Sequence, residues 1–174
     1  MKPLSLVIDT STARACGQNS ESARRSRECL ETIRQREFRV AMTEKLLDEW
    51  RRHRSSYARS WLNYLYGSKR IDSIEEVLET TRLSTAIASL PNKKEEVAQK
   101  DRFLVDMAVQ TDKRIISNDN EAGSVFCFLA KSVKAIQLVH WVNPLFEGSN
   151  NWLINDAPEH LPWTLATHEV FADT

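Results

Sequence analysis

The stretch Lys100–Gly123, which reads KDRFLVDMAVQTDKRIISNDNEAG, places acidic residues at both ends of an apolar sequence. At the period of a helix, Asp101 and Leu104 lie on one face, so Asp101 begins the stripe that should pack into the protein. A carboxylate there is costly unless a cation or hydrogen-bond donors meet it. A polar turn, the strand Arg114–Ile116 and a loop reaching Asp119 are predicted to follow. Because ligands of open α/β sheets bind where strands end, two acids at one sheet edge suggest a metal site.

The other predicted strands are short apolar runs that alternate with helical patterns. Leu4–Ile8 is almost continuously apolar, which is typical of a strand buried on both faces of a parallel sheet. Further strands are predicted at Phe38–Met42, at Ala135–Val142 and, as an edge strand, at Trp152–Ile154. This alternation predicts the α/β class, as a three-layer α/β/α sandwich with a mainly parallel central sheet.

Helices are predicted where apolar residues recur at the helical period after a capping residue. The first predicted helix follows Asn19 and Ser20, and the longest runs from Thr43 to Tyr66. A third runs from Ser73 to about Leu83, and a fourth starts at Asn92 with Glu95 and contains Asp101. The last runs from Gly123 to Lys131. The residues Ser84–Lys94, broken by Pro91, are predicted to be a connection.

Composition narrows the class of protein. The 174 residues include 24 Lys plus Arg and 24 Asp plus Glu, so the formal net charge is zero. This net charge argues neither for nor against a nucleic-acid partner. Cys16, Cys29 and Cys127 match no zinc spacing and no disulfide framework, which suits a reducing cytosol. The sequence contains no signal-peptide pattern and no apolar run of the ~18 residues that a membrane span needs. We therefore expect a cytoplasmic protein with no membrane partner.

Four acidic residues occur where apolar sequence would otherwise turn inward: Asp9, Glu49, Asp101 and Asp119. The carboxyl ends of parallel strands share one sheet edge, so Asp9 and Asp119 can converge there, and helix residues can complete the cluster. Hard divalent cations such as Mg²⁺ and Mn²⁺ prefer carboxylate oxygens. Since no nucleophilic Ser or Cys with a nearby His base stands out, metal-assisted phosphodiester hydrolysis is the simplest chemistry.

Four segments together resemble the PIN domain family of nucleases, which includes ribonuclease toxins of toxin–antitoxin pairs. They are VIDTS (7–11), TEKLLDEW (43–50), KDRFLVDMAVQ (100–110) and RIISND (114–119). The resemblance covers roughly residues 4 to 142, so residues 1–143 are expected to form the nuclease domain. Residues 144–174 are an addition that the family does not explain, either packed on the same domain or partly loose.

The resemblance implies a function and assigns roles. It implies a Mg²⁺- or Mn²⁺-dependent endonuclease acting on RNA, often a homodimer, with an antitoxin protein as a possible partner. The first acid of the family pattern matches Asp9, the second Glu49, the third Asp101 and the fourth Asp119. Ser117 stands where the family has threonine, and Asp106 stands where it has small residues.

Several alternatives stay open at this point. Glu44 competes with Glu49, and Asp106 is the second choice to Asp101. Each of the four acids could instead have a structural role. Asp9 could cap the next turn, and Asp119 could cap the helix near Gly123. Asp101 could interact favourably with the helix dipole, and Glu49 could belong to a solvated face.

Other polar residues have supporting or competing readings. Ser11, Ser117 and Asn118 could orient carboxylates or water, and Arg51, Arg52 and Arg54 could hold phosphates. The rival functions are a catalytically inactive RNA-binding or assembly module, and a DNA-directed nuclease in defence or repair.

Overall fold

The computed structural model, which describes residues 3–171, has one sheet of five parallel strands with helices on both faces. The strands are β1 (Ser5–Ile8), β2 (Arg39–Met42), β3 (Ile71–Ser73), β4 (Arg114–Ile116) and β5 (His140–Val142). The helices are α1 (Thr10–Ala15), α2 (Glu21–Gln35), α3 (Glu44–His53), α4 (Ser56–Gly67), α5 (Leu83–Ala88), α6 (Asn92–Gln110), α7 (Asn120–Ala130) and α8 (Ser149–Ile154). Lys134–Ile136 and Leu161–Trp163 are 3-10 turns. The predicted α/β/α sandwich on a parallel sheet is confirmed.

The strand order β3-β2-β1-β4-β5 contains one reversal, between β1 and β4. From β1 the chain moves outward to β2 and β3, and it then crosses back to β4 and β5 on the other side. Because parallel crossovers are almost always right-handed, connections that run in opposite directions lie on opposite faces of the sheet. Helices α2 and α4 therefore cover one face, and α6 and α7 cover the other. A crevice opens where the two sets diverge, beyond the ends of β1 and β4.

Two tryptophans connect the first face to the end of β1. Trp50 in α3 is fully buried, and its indole Nε1 donates a hydrogen bond of 3.1 Å to the carbonyl oxygen of Ile8. Its ring stacks on Trp61 of α4 with the centroids 5.8 Å apart. Trp61 in turn donates to the carbonyl oxygen of Leu30 in α2 at 2.6 Å. Because Trp50 donates a hydrogen bond to the last carbonyl oxygen of β1, the helices on this face hold the backbone immediately before Asp9.

The helix predicted from Thr43 to Tyr66 is two helices. Arg54 has an extended backbone, with φ −69° and ψ 146°, and Ser55 caps α4 by accepting from the amide of Ala58. The hydroxyl of Ser55 also donates to the carbonyl oxygen of Ala13 at 3.2 Å. The prediction was wrong because the spacing of aromatic residues continues across the break, whereas the Ser55 cap and its contact with α1 stop α3.

Four further predictions were wrong in type or extent. Ser73 ends β3 instead of capping a helix, and a non-helical strap (residues 74–82) follows it. The predicted connection after this strap contains the short helix α5. Trp152–Ile154 lies in the helix α8 and not in a strand. The predicted strand at Ala135–Val142 is reduced to its last three residues, which form β5.

The chain beyond Asn143 is packed on the same sandwich as far as residue 171. Thr32 of α2 donates to the side-chain oxygen of Asn150 at 2.6 Å, and Arg36 forms an ion pair of 2.6 Å with Asp156. His140 of β5 also forms an isolated antiparallel bridge with Thr164. The described part of the extension therefore belongs to the same folded unit, and residues 172–174 lie outside the description.

None of the helices in residues 3–171 combines the length and apolar character that crossing a bilayer requires.

We predict that Gly123→Ala destabilises the protein. A Cβ atom at this position in α7 would lie 2.7 Å from the ring of Phe171 and 2.7 Å from Nε1 of Trp141. Because both neighbours are ring atoms in a packed core, we expect a loss of about 2 kcal/mol in the free energy of unfolding, measured by urea denaturation. Gly67→Ala is the matched control, since nothing lies within 4 Å of its added Cβ. A loss equal in both variants would contradict this packing account.

Candidate functional site

Asp9 and Asp119 lie where the strand order reverses. Asp9 directly follows β1, and its amide donates to the carbonyl oxygen of Ile116 at 2.9 Å, which extends the β1–β4 pairing by one step. Asp119 follows β4 after a two-residue loop and precedes α7. Both side chains line one cavity of ≈ 230 Å³. The predicted convergence of these two acids at the carboxyl edge of the sheet therefore occurs.

The carboxylate of Asp9 is oriented by two hydroxyl groups. Ser11 Oγ donates to Asp9 Oδ2 at 2.5 Å, and Ser117 Oγ donates to the same oxygen at 2.8 Å. No hydrogen bond from residues 3–171 reaches the other oxygen, Oδ1. Two fixed hydroxyls therefore hold the group while one carboxylate oxygen is left for a ligand, which is the supporting role expected of Ser11 and Ser117.

Asn118 supports the loop and does not touch Asp9 with its side chain. Its Oδ1 accepts from the Thr12 hydroxyl at 2.8 Å, and its Nδ2 donates to Ser26 at 3.0 Å. Its amide donates to Ser11 Oγ at 3.0 Å. Asn118 therefore ties the end of β4 to α1 and α2 and acts on Asp9 only through Ser11.

Asp119 caps a helix, as one of the two predictions expected, and it also lines the cavity. Its Oδ1 accepts from the amide of Ala122 at 2.9 Å, so it is the N-cap of α7. The same side chain lines the cavity with Asp9. The cap fixes the direction of the carboxylate, because a capping side chain must turn back over the first turn of its helix.

Asp101 is the most buried acid of the cavity, with 4% of its surface exposed. Among residues 3–171 no hydrogen bond reaches its side chain, and the nearest cation is Lys100, whose Nζ lies 3.8 Å from Oδ1. The pKa of Asp101 is raised to about 7, mainly by burial and also by the negative charges of Asp9, Asp119 and Glu49, against an opposing effect of Lys100. The carboxylate is thus short of positive charge.

The structure separates Glu49 from Glu44. Glu49 lines the cavity and acts electrostatically on Asp101. Glu44 lines a different groove, beside β2 and β3. The difference arises because the two residues lie on different faces of α3, and only the face of Glu49 turns to α6. Glu49 is therefore the acid that joins the cluster.

Asp106, the second choice to Asp101, lies outside the cavity. It accepts from Arg102 Nε at 3.0 Å and from the amide of Thr80 at 2.8 Å. It therefore binds the strap (residues 74–82) to α6. The helical angle between Asp101 and Asp106 explains the separation, since positions five apart point in clearly different directions.

Positive side chains border the acids. Arg14, Arg52, His53 and Lys100 line the same cavity. Arg51 lines the neighbouring groove, and Arg54 lines neither, so only one of the three predicted arginines borders the acids. Arg14 and Lys100 were not predicted. Lys100 could have been found from its position beside Asp101, whereas Arg14 is recognisable only once α1 is placed.

The donor set fits a hard cation held partly through water. Within residues 3–171, no three His, Cys, Asp or Glu side chains are arranged to ligate one ion together. Mg²⁺ keeps several of its waters and commonly uses only one or two protein carboxylates, so such an arrangement is not required. Asp9 and Asp119 are the carboxylates of the cavity whose orientation is fixed by hydrogen bonds, and Glu49 and Asp101 line the same cavity.

We predict that Asp101→Asn stabilises the metal-free protein in a pH-dependent manner. Asp101 has an ordinary pKa of 3.8 and a folded value of about 7, so between these values the folded chain keeps a proton that the unfolded chain releases. The free energy of unfolding of the native sequence therefore falls as the pH rises from about 4 to about 7. The variant avoids this loss, and we expect it to be more stable by about 2 kcal/mol at pH 8 and nearly equal at pH 4.

Urea denaturation at both pH values, with a chelator present, measures this difference. The same advantage at pH 4 and pH 8 would show that burial of the charge is not its cause.

Comparisons with protein-family models, with curated proteins and with solved structures gave no match.

Proposed function

We propose that this protein is a Mg²⁺- or Mn²⁺-dependent endoribonuclease of the PIN type. The observation that carries the proposal is the convergence of Asp9, Glu49, Asp101 and Asp119 on one cavity where the strand order reverses. These acids come from four separate parts of the chain, and one of them, Asp101, is buried with no hydrogen-bond donor from residues 3–171. Repulsion between these carboxylates lowers the stability of the folded protein unless a cation offsets it.

In this proposal, Asp9 and Asp119 would hold the cation, because hydroxyl groups and a helix cap fix their orientation. Glu49 and Asp101 would add negative charge to the same site. The ion would supply Lewis-acid stabilisation and lower the pKa of a water. Arg14, Arg52 and Lys100 attract the phosphates of the strand, since phosphate contacts supply much of the affinity for nucleic acid.

The proposed reaction is hydrolysis. Water forms a bond to phosphorus, the bond from phosphorus to the 3′ oxygen breaks, and the 3′ oxygen takes up a proton. The products are a 5′-phosphate and a 3′-hydroxyl. The 2′-hydroxyl is not consumed, so the mechanism alone permits DNA as well. An antitoxin partner and a homodimer are further expectations of the resemblance and stay proposals.

We predict that cleavage of single-stranded RNA in Mn²⁺ requires the clustered acids. Asp9→Asn and Glu49→Gln should each lower the rate about 100-fold or more, because each removes a negative charge from the site without changing its size. Asp48→Asn is the matched control, since Asp48 neighbours Glu49 on α3 but has a 51% exposed side chain paired with Arg51.

Assays on single-stranded DNA and flap DNA, run in parallel, test the choice of RNA. Full activity in Asp9→Asn would refute the mechanism. Cleavage of DNA alone would replace RNA as the substrate, and RNA binding without any cleavage would favour the inactive module.

Asp119 allows metal binding to be separated from helix capping. Asn also caps helices, so Asp119→Asn should bind Mn²⁺ about tenfold more weakly or worse while keeping its stability. Asp119→Ala should lose the same affinity and about 1 kcal/mol of the free energy of unfolding as well. Calorimetric titration with Mn²⁺ and urea denaturation measure the two effects. Unchanged Mn²⁺ binding in both variants would remove Asp119 from the metal site.

A further inference from the structure

A groove of ≈ 670 Å³ lies beside the acid cavity, on the side of β2 and β3. Its volume lies in the range that accommodates small organic groups. Apolar side chains from several elements line it, namely Met42, Leu47, Ile74, Val77 and Phe103. The proposed hydrolysis does not use this groove, so its shape and composition need a separate explanation.

The groove and the acid cavity are neighbours along two helices. On α3, Glu49 lines the acid cavity and Lys45, one turn earlier, lines the groove. On α6, Lys100 lines the acid cavity and Phe103, nearly one turn later, lines the groove. One turn of a helix advances by about 5.4 Å, so the two cavities adjoin along both helices. A strand with its phosphate at the acids can therefore reach the groove with an adjacent base.

The groove presents aromatic rings together with a positive charge. Lys45 Nζ lies 3.8 Å from the ring centroid of Phe103, a close cation–π contact between α3 and α6. Tyr66, at the end of α4, also lines the groove and is nearly half exposed. Aromatic faces are the surfaces on which single-stranded nucleic acids stack their bases. The chemistry of the groove thus suits a flat, apolar-faced group.

The charge balance argues for a base and against a phosphate. Glu44 and Glu75 line the groove together with Lys45 and Arg51, so its acidic and basic side chains offset one another. A phosphate would meet two carboxylates, whereas a neutral base can use them as hydrogen-bond acceptors for its amino groups. The occupant that fits both the rings and the charges is a nucleobase.

The outer wall of the groove is held in place before any ligand binds. Ile74 and Val77 belong to the strap (residues 74–82), whose Thr80 amide donates to Asp106 at 2.8 Å. The amide of Leu78 donates to the side chain of Gln110 at 3.2 Å, and the Gln110 amide group donates back to the carbonyl oxygen of Leu78 at 3.1 Å. Because this wall is already anchored at two points, it loses little conformational entropy when a ligand binds, and this favours affinity.

From these observations we infer that the groove between α3 and α6 is a base-binding subsite. It holds one base of the RNA strand next to the phosphate at the acids, in contact with the rings of Tyr66 and Phe103. This inference rests on the proposed ribonuclease function and adds where the flanking nucleotide lies. In this inference Asp106 is a positioning residue and not a metal ligand, because it holds the strap that forms the outer wall of the subsite.

The test is the affinity for a fluorescent single-stranded RNA octamer, measured by anisotropy in an Asp9→Asn background so that the RNA stays intact. Phe103→Leu keeps an apolar side chain but removes the ring, and it should weaken binding about tenfold. Phe128→Leu is the matched control, because Phe128 of α7 is also partly exposed, with Lys94 and Lys131 5.6 and 5.4 Å from its ring centroid, but it lies outside the groove. Tyr66→Leu is a second variant at a half-exposed position, where folding is least affected.

An abasic scan of the octamer identifies the base. At one position, removal of the base should weaken binding by the same factor of about ten, and Phe103→Leu should then have no further effect. Equal affinities of the Phe103→Leu and Phe128→Leu proteins, a scan without such a position, or no binding of the octamer by the parent protein would each overturn the inference.

The outcome is distinguishable from that of the nuclease proposal. If RNA is cleaved in Mn²⁺ but Phe103→Leu binds normally, the subsite is wrong and the nuclease stands. If RNA is not cleaved but the Phe103 effect and the abasic position are found, the base site stands and the chain is a binding module.

Discussion

The rest of this structure depends on the carboxylates that are held close together where the strand order reverses. β1 and β4 are hydrogen-bonded neighbours whose following helices lie on opposite faces, so the crevice between them receives Asp9 from one strand and Asp119 from the other. Asp101 is added from α6 at a position that water hardly reaches. Carboxylates this close repel one another, and their proximity persists only because packed elements carry them.

Those packed elements hold the crevice from several directions. Trp50 binds the last carbonyl of β1 and lies next to Glu49, so the residue that fixes the strand also sets the position of an acid. Ser11 and Ser117 fix Asp9, and the N-cap of α7 fixes Asp119. Orientation of this kind limits the adjustment that binding would require, which is what a site for a cation and a phosphate needs.

Local sequence predicted the elements well where one signal dominated. The continuous apolar run before Asp9 and the strand before Ser117 were found because buried parallel strands have few alternatives. The errors occurred where a correct local pattern was overruled by distant contacts. Ser55 ends α3 through a cap and a bond to α1, and Ser73 cannot begin the predicted helix because it pairs with Met42 in the sheet. Neither partner is visible from sequence spacing.

The sequence alone determined the α/β class, the four acids and the strand ends at which two of them lie. Periodicity and strand boundaries suffice for these, because they depend on neighbours within one or two turns. Only the tertiary structure decided that Glu49 and not Glu44 joins the cluster, that Asp106 holds the strap, and that Arg14 and Lys100 border the acids. The reason is geometric: which face of α3 or α6 turns to the crevice depends on how the helices pack across the sheet, and residues close in sequence then point to different cavities.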